Sequence, residues 1–223
     1  MEPKIEFEFK KASAICLLMG SILSTATMAL HPTGGDIDHI LKVKNVLIFS
    51  HSLALFCLPL IGFGFSGLSN ILQTKNKIAS LAFFVAFFGL LAAMVAATLN
   101  GLVLPIFASR YWGGHNDISL VTKIMGYGHT INIAMTYIFI TAISVAIAIW
   151  SFLIILNGHI QKWLGYFGLI VIAIGILGIL LRFNFTDLFG FRTFMLGLVS
   201  WIVAVGTSML IALRTDRNAI GAR

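Results

Sequence analysis

Long apolar stretches dominate this sequence and limit what it can fold into. A helix needs about 20 consecutive, mostly apolar residues to cross the hydrocarbon core of a membrane. Hydrophobic residues make up 59% of the 223-residue chain and charged residues only 10%. Six stretches are long enough: residues 12–30, 46–72, 78–108, 120–156, 160–181 and 193–213. The sequence therefore predicts an all-α, polytopic membrane protein in which residues 1–223 form a single six-helix transmembrane domain.

Lysine and arginine are divided unevenly between the two sides of this predicted bundle. With six spans both termini share one side, which then carries nine of the 15 basic residues. The positive-inside rule places that side in the cytoplasm, so we predict a multi-pass protein of an inner or plasma membrane with both termini cytoplasmic. The first stretch follows Lys10 and Lys11, as in a signal peptide, but we expect it to remain as a helix. Because the basic residues are scattered and no nucleic-acid-binding motif occurs, no nucleic-acid partner is predicted.

Two segments of similar sequence precede the second and fourth stretches. Residues 34–38 (GGDID) lead to His51, and residues 113–117 (GGHND) lead to His129. A lysine precedes each histidine by six or seven residues, so both imidazoles are expected at nearly the same depth. An ionisable side chain in hydrocarbon is costly unless it faces a partner, a ligand or water. The pattern predicts a duplicated two-helix unit, arranged as parallel repeats, with a histidine site shared between its copies.

Helical spacing indicates which other polar residues face that site. Polar or small residues recur every three or four positions along the first, third and fourth stretches. The polar members of these stripes lie toward the side of the membrane opposite the termini, and we expect them to converge there. The alternative for the two asparagines is a purely structural hydrogen bond between helices. The predicted site residues are His31 in the first stretch, His51 in the second, Asn100 in the third, and His129 and Asn132 in the fourth.

A haem site is the first functional hypothesis. Cofactor sites in helix bundles are built from side chains on facing helices, and imidazoles are common axial ligands of haem iron. We predict that His51 and His129 bind haem b and that Asn100 and Asn132 orient the two imidazoles. Three cations are expected near the membrane boundary opposite the termini and are candidate partners of the haem propionates, namely Lys123, Arg182 and Arg192.

A zinc- or copper-dependent membrane enzyme or metal-handling protein is the second hypothesis. Three histidines, His31, His51 and His129, would leave an open coordination position for an activated water. His31 lies at the helix end, about six residues or 9 Å from the depth of the other two, so a bend at Pro32 or a tilted helix would have to close the gap. No recognised catalytic motif occurs in the sequence, and whether the chain is an enzyme is left open.

The third hypothesis is a protein that catalyses no reaction. It would be a small-solute carrier or a subunit of a membrane complex, with the lipid bilayer and a membrane-protein partner or a second copy as its contacts. The repeat and the prolines within the spans favour a carrier. The lack of any carboxylate within the six stretches argues against ordinary proton coupling.

The remaining histidines and two prolines carry simpler expectations. His39, His115 and His159 are predicted to be solvated loop residues. Pro59 and Pro105 are predicted to kink the second and third spans, because proline removes a backbone donor and clashes with the preceding turn.

Overall fold

The computed structural model describes residues 3–73, 77–113, 118–158 and 160–221, and this part of the chain is helical with no strand. Six spans are long and apolar enough to cross a membrane, which confirms the predicted fold class of a multi-pass helical membrane protein. The helices are α1 (Pro3–Leu30), α2 (Ile37–Lys42), α3 (Lys44–Leu72), α4 (Ile78–Thr98), α5 (Leu104–Tyr111), α6 (Ile118–Asn157), α7 (Trp163–Leu180) and α8 (Leu188–Gly221), with a π-helical segment (Leu99–Val103) joining α4 to α5.

Several helices extend beyond the apolar stretches that predicted them. α1 begins at Pro3 rather than near residue 12, and the pair of Lys10 and Glu6, with a nitrogen–oxygen distance of 2.6 Å, stabilises this added part. α8 begins at Leu188 rather than near residue 193. The third and fourth spans have 34 and 40 residues, which makes them about 50 and 60 Å long at 1.5 Å per residue. Both exceed the hydrocarbon thickness of about 30 Å.

The six spans form a closed ring. Each contacts its neighbours in the order α1, α3, α4, α6, α7, α8 and back to α1. The most extensive packing joins α1 to α3 and α4 to α6. At the first of these contacts Gly67 lies so close to Ser13 that a Cβ atom at Gly67 would overlap the serine side chain. Small residues of this kind let membrane helices approach closely without a hydrophobic driving force.

One end of the ring is filled by aromatic side chains, and we call it the tryptophan end. Trp150 and Trp201 are fully buried there and stack with ring centroids 6.2 Å apart, while Phe65 packs against Trp150 at 4.7 Å. The indole Nε1–H of Trp150 donates to Ser69 Oγ at 2.9 Å, and that of Trp201 donates to the Leu164 carbonyl oxygen at 3.1 Å. These bonds cross between helices and fix the relative positions of α3, α6, α7 and α8.

The opposite end, which we call the histidine end, carries the short helix α2. The sequence indicated only a loop between residues 31 and 44, but Asp36 caps a helix there by accepting a hydrogen bond from the His39 backbone N–H at 2.8 Å. Ile37, Ile40 and Leu41 of α2 pack on a buried apolar cluster from α5 and α6. α2 therefore lies docked across this end of the bundle.

The two prolines have different surroundings. α3 runs without interruption through Pro59. Pro105 follows the π-helical segment directly, and the backbone N–H of Leu104 bonds to the carbonyl oxygen of Leu99, five residues earlier. The irregularity predicted for the third span is therefore a π turn placed just before the proline.

The outer surface of the ring is apolar over its length. Phe56, Phe84 and Leu180 are 70%, 66% and 74% exposed. Contiguous apolar surface of this extent is stable only against lipid or another protein. The lipid bilayer is thus the surrounding that these helices require.

Candidate functional site

A cavity of about 470 Å³ lies inside the histidine end. Its wall is formed by α1, α3, the junction of α4 with the π segment, α6 and the start of α8, with α2 and its preceding loop beside them. The part of the cavity near this end of the bundle is polar. The part farther into the bundle is lined by apolar side chains such as Leu58 and Phe139. All five predicted site residues line this one cavity: His31, His51, Asn100, His129 and Asn132.

His51 is the most enclosed of the cavity histidines, with 6% of its surface exposed. Its Nδ1 lies 2.9 Å from the carbonyl oxygen of Leu47, one turn earlier in α3. A carbonyl oxygen only accepts hydrogen bonds, so this contact assigns the proton to Nδ1 and leaves the lone pair on Nε2. No hydrogen bond from another described residue reaches Nε2. His51 thus presents one basic nitrogen on a side chain that borders the cavity.

His31 lies against His51, so the gap in depth expected between these two side chains is closed. The ring centroids are 4.8 Å apart and the planes are tilted by 57°. His31 stands at the end of α1, where the chain leaves the helix, and its Nδ1 donates to the carbonyl oxygen of Pro32 at 2.8 Å. Burial lowers the pKa of His31, the bond to Pro32 opposes this, and the nearby charge of Arg192 lowers the pKa further. Because the Nδ1 of each ring donates to a backbone carbonyl oxygen, both rings carry their proton on Nδ1.

Arg192 of α8 closes the end of α1. Its Nε donates to the carbonyl oxygen of Met28 at 3.2 Å and its Nη2 to that of His31 at 2.7 Å. The last carbonyls of a helix lack partners within the helix, and a cation there also complements the helix dipole. Arg182 and Lys123 are exposed. A role for these three cations in holding propionates stays a prediction.

His129 has surroundings unlike those of His51. It lies on α6 and is exposed, and it forms no hydrogen bond with another described residue. Two turns further along α6, the hydroxyl of Thr136 donates to the backbone carbonyl of Asn132 at 2.9 Å. The two matching histidines therefore differ in burial and contacts. Duplication of a two-helix unit stays a prediction, and residues 114–117 of the second loop lie outside the described residues.

The stripe of small residues in α4 divides into two parts. Gly89 packs directly against Ala142 of α6, whereas Ala93 and Asn100 line the cavity. Neither Asn100 nor Asn132 forms a side-chain hydrogen bond with another residue in the described part of the chain. Their amides thus line the cavity without a structural partner there.

His39 was expected in water, but the structure places it half-buried on the cavity wall. Its Nε2 is buried and has no hydrogen-bond partner among the described residues. The signal that identifies its position is the spacing of Asp36 from the apolar residues of α2, which indicates a capped helix. His115 and His159 lie outside the described residues. Sequence reasoning also missed Asp187, which lines the cavity and accepts a hydrogen bond from the Gly190 N–H at 2.7 Å.

Two hydrogen bonds connect α2 and the start of α3 to α5. Trp112 Nε1–H donates to Asp38 Oδ1 at 2.8 Å, and Lys44 Nζ donates to Ser109 Oγ at 2.9 Å. Together with the apolar cluster beneath α2, they hold this helix beside the cavity. α2 thus forms part of the cavity wall, through His39 and Ile40.

No group of three or more His, Cys, Asp or Glu side chains in the described residues is arranged to hold a metal ion. The zinc or copper site of His31, His51 and His129 gains no support from this arrangement and stays a prediction. No protein-family model, curated protein or solved structure matches the chain. Its function is therefore inferred from the cavity itself.

Proposed function

We propose that this chain is a membrane-embedded cofactor-binding protein and that its cavity takes haem b through Nε2 of His51. The observation that carries the proposal is the hydrogen bond of 2.9 Å between Nδ1 of His51 and the Leu47 carbonyl. Histidines that bind metals almost always donate their other N–H in this way, which fixes the ring and makes the free nitrogen more basic. A bound haem would supply one-electron chemistry.

His129 would be the second residue to hold the haem, because it lines the same cavity. His31 would not be that second residue, because its ring contacts that of His51, with centroids 4.8 Å apart, and the two rings leave no room between them for a bound group. His31 therefore lies beside His51 as a neighbour of the ligand. His129 borders the same cavity from α6, a helix separated from α3 by α4 in the ring. Asn100 and Asn132 then supply hydrogen-bonding groups along the wall between these two histidines.

An absorption spectrum of the protein, expressed with ample haem and purified gently, tests this proposal. We expect a Soret band that is lost in His51→Leu and shifted or weakened in His129→Leu. Phe49→Leu is the matched control, because Phe49 lies two residues earlier in α3 and is 57% exposed. The proposal is wrong if the wild-type protein shows no Soret band, or if the band survives replacement of both histidines.

A small-solute binding protein or carrier is the second candidate. The observation that favours it is the graded wall of the cavity, polar around Thr27 and Asn132 and apolar around Leu58 and Phe139. Sites for small molecules typically combine an apolar lining with a few polar groups that fix orientation. This candidate predicts a colourless protein.

Metal analysis of the same sample tests the zinc or copper alternative. A colourless, metal-free protein that no solute stabilises would favour a subunit of a membrane complex.

We infer that both termini lie in the cytoplasm and that the cavity opens on the other side of the membrane. The distribution of basic residues supports this orientation. Cysteine labelling tests it at Lys77, Thr33 and Ser119, all of which are exposed. Labelling of Thr33→Cys and Ser119→Cys from outside intact cells, but not of Lys77→Cys, is expected. Labelling of all three variants from the same side would overturn the topology.

A further inference from the structure

The π-helical segment Leu99–Val103 lies at the level of the cavity. Its hydrogen bonding spans five residues in place of the four of an α-helix, as in the bond from the Leu104 N–H to the carbonyl of Leu99. π turns of this kind are rare and are frequent at functional sites. Within this segment Asn100 lines the cavity, while Gly101 is buried against α3. The segment thus places two neighbouring residues in two different surroundings.

Gly101 packs directly on the imidazole of His51. A Cβ atom at Gly101 would overlap Cβ and Cγ of His51 and would come within 2.6 Å of its Cδ2. Any residue other than glycine would therefore displace the ring or push α3 and α4 apart. The ring is also held by the hydrogen bond from Nδ1 to the Leu47 carbonyl. The position of His51 is accordingly set by one carbonyl of its own helix, by the bare backbone of Gly101 and by the ring of His31, whose centroid lies 4.8 Å away.

We infer that the π segment is a positioning element for His51, in which Gly101 fixes the imidazole and Asn100 adds a polar group to the wall of the same cavity. The purpose of this arrangement, orienting Nε2 toward a ligand, rests on the proposed function. The contact between Gly101 and His51 is independent of any ligand. Gly101 is a positioning residue, since it acts through His51 and not on the cofactor.

A double-mutant cycle in the unliganded protein tests the contact. Gly101→Ala is expected to lower the melting temperature by about 5 °C, the range in which overpacking a buried site acts in a protein of this size. The same substitution in a His51→Gly background is expected to change it by less than about 1–2 °C, since both the Cβ atom and the ring that a Cβ at Gly101 would overlap are gone. Gly126→Ala is the matched control, because Gly126 lies on α6 at the same end and a Cβ there meets nothing within 4 Å. Equal effects of Gly101→Ala in both backgrounds would overturn the inference.

Nitrogen NMR of histidine-labelled protein, with the His51 signal assigned by comparison with His51→Ala, distinguishes positioning from simple packing. In the wild-type protein the His51 signals should report a proton on Nδ1, as the bond to Leu47 requires. Gly101→Ala should move this proton, in whole or in part, to Nε2, and Gly126→Ala should not. An unchanged His51 tautomer in Gly101→Ala would contradict a positioning role even if the variant were less stable.

The outcomes for the cofactor and for the positioning element are separable. If the wild-type protein binds no haem, the proposed function fails, while the cycle and the tautomer still decide the role of Gly101. If haem binds, Gly101→Ala should shift the Soret band or lower haem affinity at least tenfold. A normal spectrum and affinity in this variant would leave the proposed function standing and overturn the inference.

Discussion

The tryptophan end and the histidine end of this bundle use buried polar groups in opposite ways. At the tryptophan end the hydrogen bonds cross between helices, as in the bond from Trp150 of α6 to Ser69 of α3 at 2.9 Å. Inside the histidine end they remain within one helix, as in the bond from His51 to Leu47 at 2.9 Å. One end is filled with side chains, and the other encloses a cavity.

This difference separates stabilisation from binding. A bond between helices satisfies two polar groups and also fixes the distance between their helices. A bond within a helix satisfies one polar atom of the side chain without joining two helices. It therefore leaves the space between the helices open. Bonds between helices do occur at the histidine end, but at the cavity rim, where Arg192 and Trp112 donate them. The interior polar groups there are consequently available to a ligand.

The largest expected effect is the loss of an aromatic side chain at the tryptophan end. Trp150→Ala should lower the free energy of unfolding by about 3–5 kcal/mol, because a large, fully buried ring leaves a cavity behind. His51→Ala should cost less than about 2 kcal/mol, since its ring already borders an open space. Unfolding by denaturant in detergent measures both. A cost for His51→Ala as large as that for Trp150→Ala would remove the distinction between the two ends.

Loss of the arginine at the cavity rim should have the next largest effect. Arg192→Gln should destabilise the protein by about 1.5–3 kcal/mol, the range for hydrogen bonds from charged groups. The comparison is Arg182→Gln, because Arg182 is exposed, and it should change stability by less than about 0.5 kcal/mol. Thermal unfolding of the two variants side by side provides the measurement. Equal losses would mean that Arg192 does not close the end of α1.

A smaller effect on stability, but a clear one on access, is expected from Trp112→Phe. Removing the bond to Asp38 should cost about 0.5–1.5 kcal/mol and let α2 move away from the cavity more often. Cys57 lines the cavity and is a free thiol, so its rate of alkylation in a Cys16→Ser background reports access. Trp163→Phe removes a similar exposed bond, from Trp163 to Gln161 at 2.6 Å, near the other end of the bundle. Faster alkylation in Trp112→Phe alone is predicted, and equal rates would exclude α2 as the barrier.

The smallest change in stability is expected for the cavity amides. Asn100→Leu or Asn132→Leu should alter the free energy of unfolding by less than about 0.5 kcal/mol, because neither side chain has a hydrogen-bond partner among the described residues to lose. Retention of bound cofactor should nevertheless fall. Asn70→Leu, near the tryptophan end, serves as the reference for a change remote from the cavity. If all three variants retain the cofactor equally, the amides have no part in binding.

Much of the bundle and of the cavity wall was predictable from local sequence patterns. Apolar length alone identifies the six spans. Helical spacing identifies the faces that carry Asn100, His129 and Asn132, because residues three or four apart share a face whatever the helix packs against. The convergence of these faces with His31 and His51 follows from placing polar faces inward in a membrane.

The remaining features depend on contacts between distant parts of the chain. Arg192 bonds to Met28, 164 positions earlier, and no local pattern indicates that pairing. The π segment was not predicted, because its register is set by packing of Gly101 on another helix as well as by Pro105 nearby. The proton position on His51 likewise depends on the side-chain conformation, which spacing does not fix.

The most direct test of the contrast between the two ends is an experimental structure of the protein purified with its native lipids. We expect density in the histidine-end cavity within bonding distance of Nε2 of His51, with Nδ1 still bonded to Leu47. At the tryptophan end, Trp150 should remain bonded to Ser69 with no space between the helices. A collapsed cavity in which His51 bonds to a neighbouring helix, as Trp150 does, would contradict the account.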